Sequence, residues 1–296
     1  MHVGRCHEDC SSRSDIWAWR VLRHQQPVTT LRPIGFDADC RAHADVVNVH
    51  ADVQIDVIVE GAGPLIVLLP SRGRDSEDYD EVAAGLAAAG FKVLRPQPRG
   101  IGRSRGAMTG ITLHDFARDI AEVIKHYGAD AVIVGHAYGN WVARMTAVDH
   151  PTLVRGVVIA AAASKQYPPE LSVAVSKSGD LSLPREERLK YLQGTFFAPG
   201  HDASIWLEGW HAQASAAQRA AAAATKQSEW WTAGTVPLLD LQADSDPFHP
   251  IAKMNELKDE LGDRVTVIVI RGASHALLPE QPAAVVEAIA GWVRKL

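Results

Sequence analysis

The chain has 296 residues, 47% of them hydrophobic and 22% charged, with a formal net charge of -5. That length allows one large α/β domain or two smaller ones, either with a sizeable core. The mild acidic excess leaves no basic footprint for nucleic acid, and no Lys/Arg run marks a membrane surface.

Residues 1–42 are polar, rich in His and Arg, and without sustained periodicity, so a poorly ordered extension is expected there. His2, Cys6, His7 and Cys10 match no zinc-binding spacing. Together with Cys40 the cysteines form an odd, clustered set, which argues against a disulfide framework and suits a reducing compartment. The start lacks the apolar core of a signal peptide, and no later stretch reaches the ~18 uninterrupted apolar residues of a membrane span. A cytoplasmic location without a membrane partner is the expectation.

From 46 to 59 two runs of alternating apolar and polar residues flank His50-Ala51-Asp52, the signature of a hairpin. Leu65-Ile66-Val67-Leu68-Leu69 is continuously apolar, as a strand buried on both faces requires. A helix is expected over 81–89, ended by Gly90, then a strand over 91–94 and an amphipathic helix over 115–127. A strand begins near Asp130, a helix over 138–150 is stopped by Pro151, and 154–160 makes the next strand. Strands alternating with helices at this spacing indicate right-handed crossovers and a doubly wound, mostly parallel sheet, whose sites lie at the carboxyl ends of its strands.

The rhythm breaks between 163 and 232, which holds helical segments near 187–193 and 216–225 together with Phe196, Phe197, Trp206 and Trp210. It resumes with strands over 236–241 and 265–270 and a closing helix over 282–293.

The stretch Ala131-Val132-Ile133-Val134-Gly135-His136-Ala137-Tyr138-Gly139-Asn140 reads as a buried strand turning sharply into a helix. Its glycines stand at the i and i+4 positions of a G-x-S-x-G nucleophile elbow, where strand and helix approach too closely for side chains. The chain resembles the α/β-hydrolase family, with one departure: the nucleophile position is occupied by Ala137. A methyl group cannot attack a carbonyl.

The resemblance implies a core over 43–162 and 233–296 and a helical cap over 163–232. The family carries His-Gly where this chain has Pro70-Ser71, and spacing makes the backbone N–H groups of Arg72 and Tyr138 the oxyanion donors. The Arg72 side chain adds a cation beside the site, able to attract a carboxylate or enolate, unless it points to solvent. In the segment 95–104, which resembles the family's D-x-R-G-x-G-x-S loop, Gln97 replaces the usual Asp. The family acid matches Asp246, with Asp244 the alternative, and the family histidine matches His275 in Gly272-Ala273-Ser274-His275. The order elbow, acid, histidine is that of the family. His136, Ser71, Trp206 and Trp210 are candidates for the substrate pocket, the tryptophans equally for packing between cap and core.

An Asp246–His275 pair without a serine leaves a base whose partner is a water or an acidic substrate proton. Hydrolysis of an ester, lactone or related carbonyl compound by water is the leading expectation. A lyase or cofactor-free proton abstraction on the same dyad is the rival within enzymes. A silent small-molecule binder, or a hydrolase whose serine was removed by engineering, completes the set. No metal or organic cofactor is implied, the partner is a small molecule, and monomer and homodimer are not distinguished.

Overall fold

The computed structural model describes residues 42–50, 52–128 and 130–296. All of the expected extension but Ala42 lies outside the described residues. Strand β1 (His43–His50) pairs antiparallel with β2 (Val53–Glu60), with Val47 opposite Ile55. Their alternation works as a half-buried ribbon needs it to: Val47, Val49, Val53, Ile55, Val57 and Val59 turn inward.

The chain then makes β3 (Leu65–Leu69), α1 (Asp80–Ala88), β4 (Lys92–Pro96), α2 (Leu113–His126), β5 (Ala131–His136), α3 (Tyr138–Asp149) and β6 (Val154–Ala160). Helix α2 starts on a capping box in which the Thr112 N–H donates to Asp115 Oδ2 at 2.9 Å. After β6 come α4 (Pro169–Ser178), α5 (Arg185–Thr195), α6 (Ala212–Ala223) and α7 (Gln227–Trp230). The sheet resumes with β7 (Leu238–Ala243), α8 (Glu256–Leu261) and β8 (Val265–Ile270), and the chain ends in α9 (Leu277–Glu280) and α10 (Pro282–Val293).

The eight strands lie in the order β1-β2-β4-β3-β5-β6-β7-β8, with β2 antiparallel to both neighbours and every later pairing parallel. The continuous apolar runs are explained by helices on both faces. Leu65, Val67 and Leu69 join one apolar cluster with residues of α2 and α3, while Ile66 and Leu68 join another with residues of α1 and α10. Chain order reverses between β3 and β5, so their carboxyl ends open a crevice, the place where such sheets bind ligands.

The expected α/β sheet is therefore present, and the inserted segment is more helical than the sequence suggested. Helix α4 was missed because Tyr167-Pro168-Pro169 reads as a breaker, although a proline in the first turn forfeits no hydrogen bond. Helix α6 begins at Ala212, ahead of the expected 216. The insertion has its own apolar cluster, in which Leu192, Phe196, Phe197, Trp206 and Trp210 surround Ala276 of the core. Among the described residues no helix is long and apolar enough to cross a membrane.

Candidate functional site

Ala137 sits between β5 and α3 at φ 47°, ψ -113°, a conformation that costs an L-residue on the order of 1–3 kcal/mol. Its two glycine neighbours are required by contact. A Cβ on Gly135 would lie 2.4 Å from the Gly139 carbonyl oxygen and 2.5 Å from the Asn140 nitrogen. One on Gly139 would lie 2.5 Å from the Leu69 carbonyl oxygen. All three obstacles are backbone, which cannot rotate aside. The elbow thus keeps its sharp geometry with a methyl group at its tip.

The loops after β7 and β8 bring Asp246 and His275 together, with Nδ1 of His275 2.9 Å from Asp246 Oδ2. The backbone N–H of Phe248 donates to the other carboxylate oxygen at 2.8 Å, which locks the acid. The alternative acid, Asp244, instead accepts the Gly272 backbone N–H at 3.1 Å. With the proton on Nδ1 directed at the carboxylate, Nε2 is the bare nitrogen. It has no hydrogen-bond partner among the described residues. The imidazole packs on Phe248, with ring centroids 4.2 Å apart, and on Phe196, at 5.5 Å.

A cavity of about 70 Å³ gathers Ser71, Arg72, Ala137, Tyr138 and His275 on one wall. Ala163, Tyr167, Val175 and Phe196 from the inserted segment, with Trp141 and Phe248, form the rest. The backbone N–H groups of Arg72 and Tyr138 donate to no acceptor among the described residues.

Of the four residues suggested for the pocket, Ser71 lies on its wall. His136 and Trp206 do not: both are sealed behind it, 0% and 1% exposed. Trp206 is held there by the Arg74 guanidinium 5.0 Å from its ring and by edge contacts with Phe196 and Phe197. Trp210 lines a neighbouring cavity instead and donates its Nε1–H to the Trp206 carbonyl at 2.6 Å. Trp141, Ala163, Tyr167, Val175 and Phe248 were missed. Phe248 had a usable signal, since it follows Asp246 by two positions, and so did Trp141, one helical turn after Ala137.

His136 ties the site together from behind. Its Nε2–H donates to the His275 carbonyl at 2.7 Å, and Tyr79 donates its hydroxyl to His136 Nδ1 at 2.8 Å. The same hydroxyl accepts the Ser71 N–H at 3.1 Å. Burial first, and then the proximity of His275, pull the His136 pKa down to about 3, so the ring is neutral. One relay therefore fixes the loop after β3, the end of β5 and the histidine loop. Gln97, in place of a carboxylate, accepts the Ser76 N–H at 2.9 Å and steadies the turn before Tyr79. Among the described residues no group of three or more His, Cys, Asp or Glu side chains is gathered as a metal site.

Residues 66–288 match the alpha/beta hydrolase family. With sheet order, elbow and acid–histidine pair already in place, the chain belongs to that family. A soluble epoxide hydrolase from Corynebacterium sp. (strain C12) is 34% identical over 103 residues, 34% of this chain and 36% of that protein. The matched stretch is thus about a third of that relative's length. A non-heme haloperoxidase from Rhodococcus erythropolis is 28% identical over 239 residues, covering 73% of this chain and 87% of that protein. In fold, an esterase from Exiguobacterium antarcticum superposes with a TM-score of 0.72 at 17% identity, over 85% of this chain and all of that one.

Proposed function

We propose that the protein hydrolyses an ester, lactone or related carbonyl compound by direct attack of water. His275 Nε2 removes a proton from the water as its oxygen bonds to the carbonyl carbon. Asp246 stabilises the imidazolium that results. The N–H groups of Arg72 and Tyr138 receive the carbonyl oxygen as it becomes negative. When the tetrahedral intermediate collapses, His275 returns the proton from Nε2 to the departing alkoxide. No acyl-enzyme forms, because Ala137 offers no nucleophile. The missing hydroxyl leaves its volume to the attacking water, and the inserted segment over 163–232 acts as a cap over the cavity.

The observation that carries this reading is the bare Nε2 of a carboxylate-oriented histidine, on one wall with Ala137 and the N–H groups of Arg72 and Tyr138. Proton abstraction from an acidic substrate C–H or O–H would use the same nitrogen and is the second reading. Activated esters and lactones should be offered to the chain as given, to His275→Ala, to Ala137→Ser, and to the Ala137→Ser, His275→Ala double variant. We expect turnover by the native chain to fall about 10²–10⁴-fold in His275→Ala, the usual worth of a positioned general base. Label from H₂¹⁸O should enter the product acid. Native turnover undiminished by His275→Ala would sink the mechanism. Activity confined to Ala137→Ser and lost in the double variant would mean a silenced elbow in an otherwise intact site.

A further inference from the structure

Arg72, half-buried, stands apart from the buried arginines of the described chain. Arg74 is matched by the Asp78 carboxylate and the carbonyls of Trp206 and Glu208. Arg95 meets Glu60 and Asp80, and Arg99 meets Asp119 through two nitrogens. Arg188 donates to the carbonyls of Ser178 and Leu207, and Arg144 to that of Trp231 between two indole faces. The Arg72 guanidinium makes no hydrogen bond and no ion pair with the described residues; its Nε is buried without an acceptor, as are those of Arg95 and Arg144, whose other nitrogens are bonded.

Leaving a guanidinium partly desolvated and unmatched costs stability, and the group cannot escape by losing its proton. Burial above all, and then a like charge at Arg219, press on it against a smaller opposing pull from Tyr167 and Tyr138, and no carboxylate among the described residues relieves it. Its position explains what it is for. Arg72 and Val175 line both the cavity at His275 and an adjoining, larger one of about 220 Å³ that also carries Arg219. The one carboxylate on the outer cavity, Asp180, accepts the N–H and hydroxyl of Ser182 at 3.0 and 2.6 Å through Oδ1 and forms no ion pair with Arg72. Arg219 is exposed and makes no ion pair with the described residues, and it adds positive potential at the rim.

We propose that the substrate is a carbonyl compound bearing a second, anionic group, a carboxylate by preference, which the Arg72 guanidinium holds where the two cavities meet while its carbonyl lies at His275. The planar guanidinium fork matches a carboxylate through two parallel N–H donors. This names the substrate class of the hydrolase reading and rests on it for the reaction, though not for the binding. Arg72 then has two parts: its backbone N–H faces the reacting carbonyl and its side chain selects the molecule.

Binding is read first, without turnover, by thermal unfolding of the native chain in glutarate or its neutral counterpart glutaramide, with ionic strength matched by sodium chloride. Glutarate at about ten times its Kd should raise Tm by roughly 2–3 °C, and glutaramide should not. Arg72→Gln should abolish the shift, Arg72→Lys should keep part of it, and Arg219→Gln should weaken it. Without ligand, Arg72→Gln should melt no lower than the native chain, because an unmatched buried cation has been removed. Equal shifts with both compounds, no shift with glutarate, or a glutarate shift that survives Arg72→Gln would each overturn the proposal.

Turnover is read second, on 4-nitrophenyl acetate and mono-4-nitrophenyl glutarate. The anionic ester should be preferred by about tenfold or more in kcat/KM, the worth of one charge-assisted contact, and Arg72→Gln should erase the preference. Hydrolysis of both esters with equal kcat/KM would refute the anion site and leave the hydrolase reading standing. Glutarate binding with neither ester hydrolysed would uphold the anion site and count against the hydrolase.

Discussion

Ala137 holds a backbone conformation that alanine does not choose. The strain is borne because β5 and α3 are both anchored, and the close approach at Gly135 and Gly139 leaves one path between them. Glycine adopts that conformation without penalty, so Ala137→Gly should stabilise the fold by about 1 kcal/mol after its greater unfolded-state entropy is subtracted. The check is the urea midpoint at unchanged m-value; a destabilised variant would mean that the elbow is not strained. Gly135→Ala has the opposite sign. A methyl group placed 2.4 Å from a carbonyl oxygen must push α3 away from the sheet, and little folded protein is expected on expression.

At the scale of elements, the inserted segment is joined to the core by a few buried polar contacts as well as by apolar packing. Arg74, on the loop after β3, reaches across to the carbonyls of Trp206 and Glu208 and lies 5.0 and 4.7 Å from the rings of Trp206 and Trp210. Asp78 neutralises it through both carboxylate oxygens at 2.6 Å. Asp78→Asn keeps the shape and leaves the cation uncompensated, which costs on the order of 3 kcal/mol when such a pair is buried. Because Arg74 binds the insertion, the loss should show as faster proteolysis within 163–232 as well as a lower midpoint of unfolding. A variant as stable and as resistant as the native chain would show that the aromatic packing alone holds the segment.

Over the whole molecule, the relay through Tyr79 and His136 couples three distant stretches of chain and makes the fold sensitive to acid. In the unfolded chain His136 takes up a proton near pH 6.5, whereas the folded protein delays this to about pH 3. Between those values the unfolded state binds more protons, so the contribution of neutral His136 is complete above pH 6.5 and is lost as the pH falls. About 2 kcal/mol of it should be gone at pH 5. His136→Gln, whose amide can still donate to the His275 carbonyl, should be less stable than the native chain at pH 7 and lose less on moving to pH 5. Equal losses in both proteins would remove His136 as the cause.

The strands, the crossovers, the elbow, and the pair His275 and Asp246 were legible from the chain alone because each rests on a local rule. A run buried on both faces has no alternation, glycines must bracket a turn whose neighbours touch backbone, and a carboxylate loop and a histidine loop each follow a strand. Arg72 was legible only as a cation near the site. Whether it met a carboxylate depended on side chains from α4 and α6, about a hundred residues or more away. For the same reason the pocket walls were misjudged. His136 and Trp206 have the composition of a binding surface, yet tertiary packing turned them inward, while Tyr167 and Val175 arrived from a segment whose prolines hid its first helix. Residue type and spacing determined which groups would stand at the carboxyl ends of the strands. Only the folded insertion decided which of them face the cavity and which cation is left without a partner, because burial and charge pairing are properties of neighbours that the order of the chain does not contain.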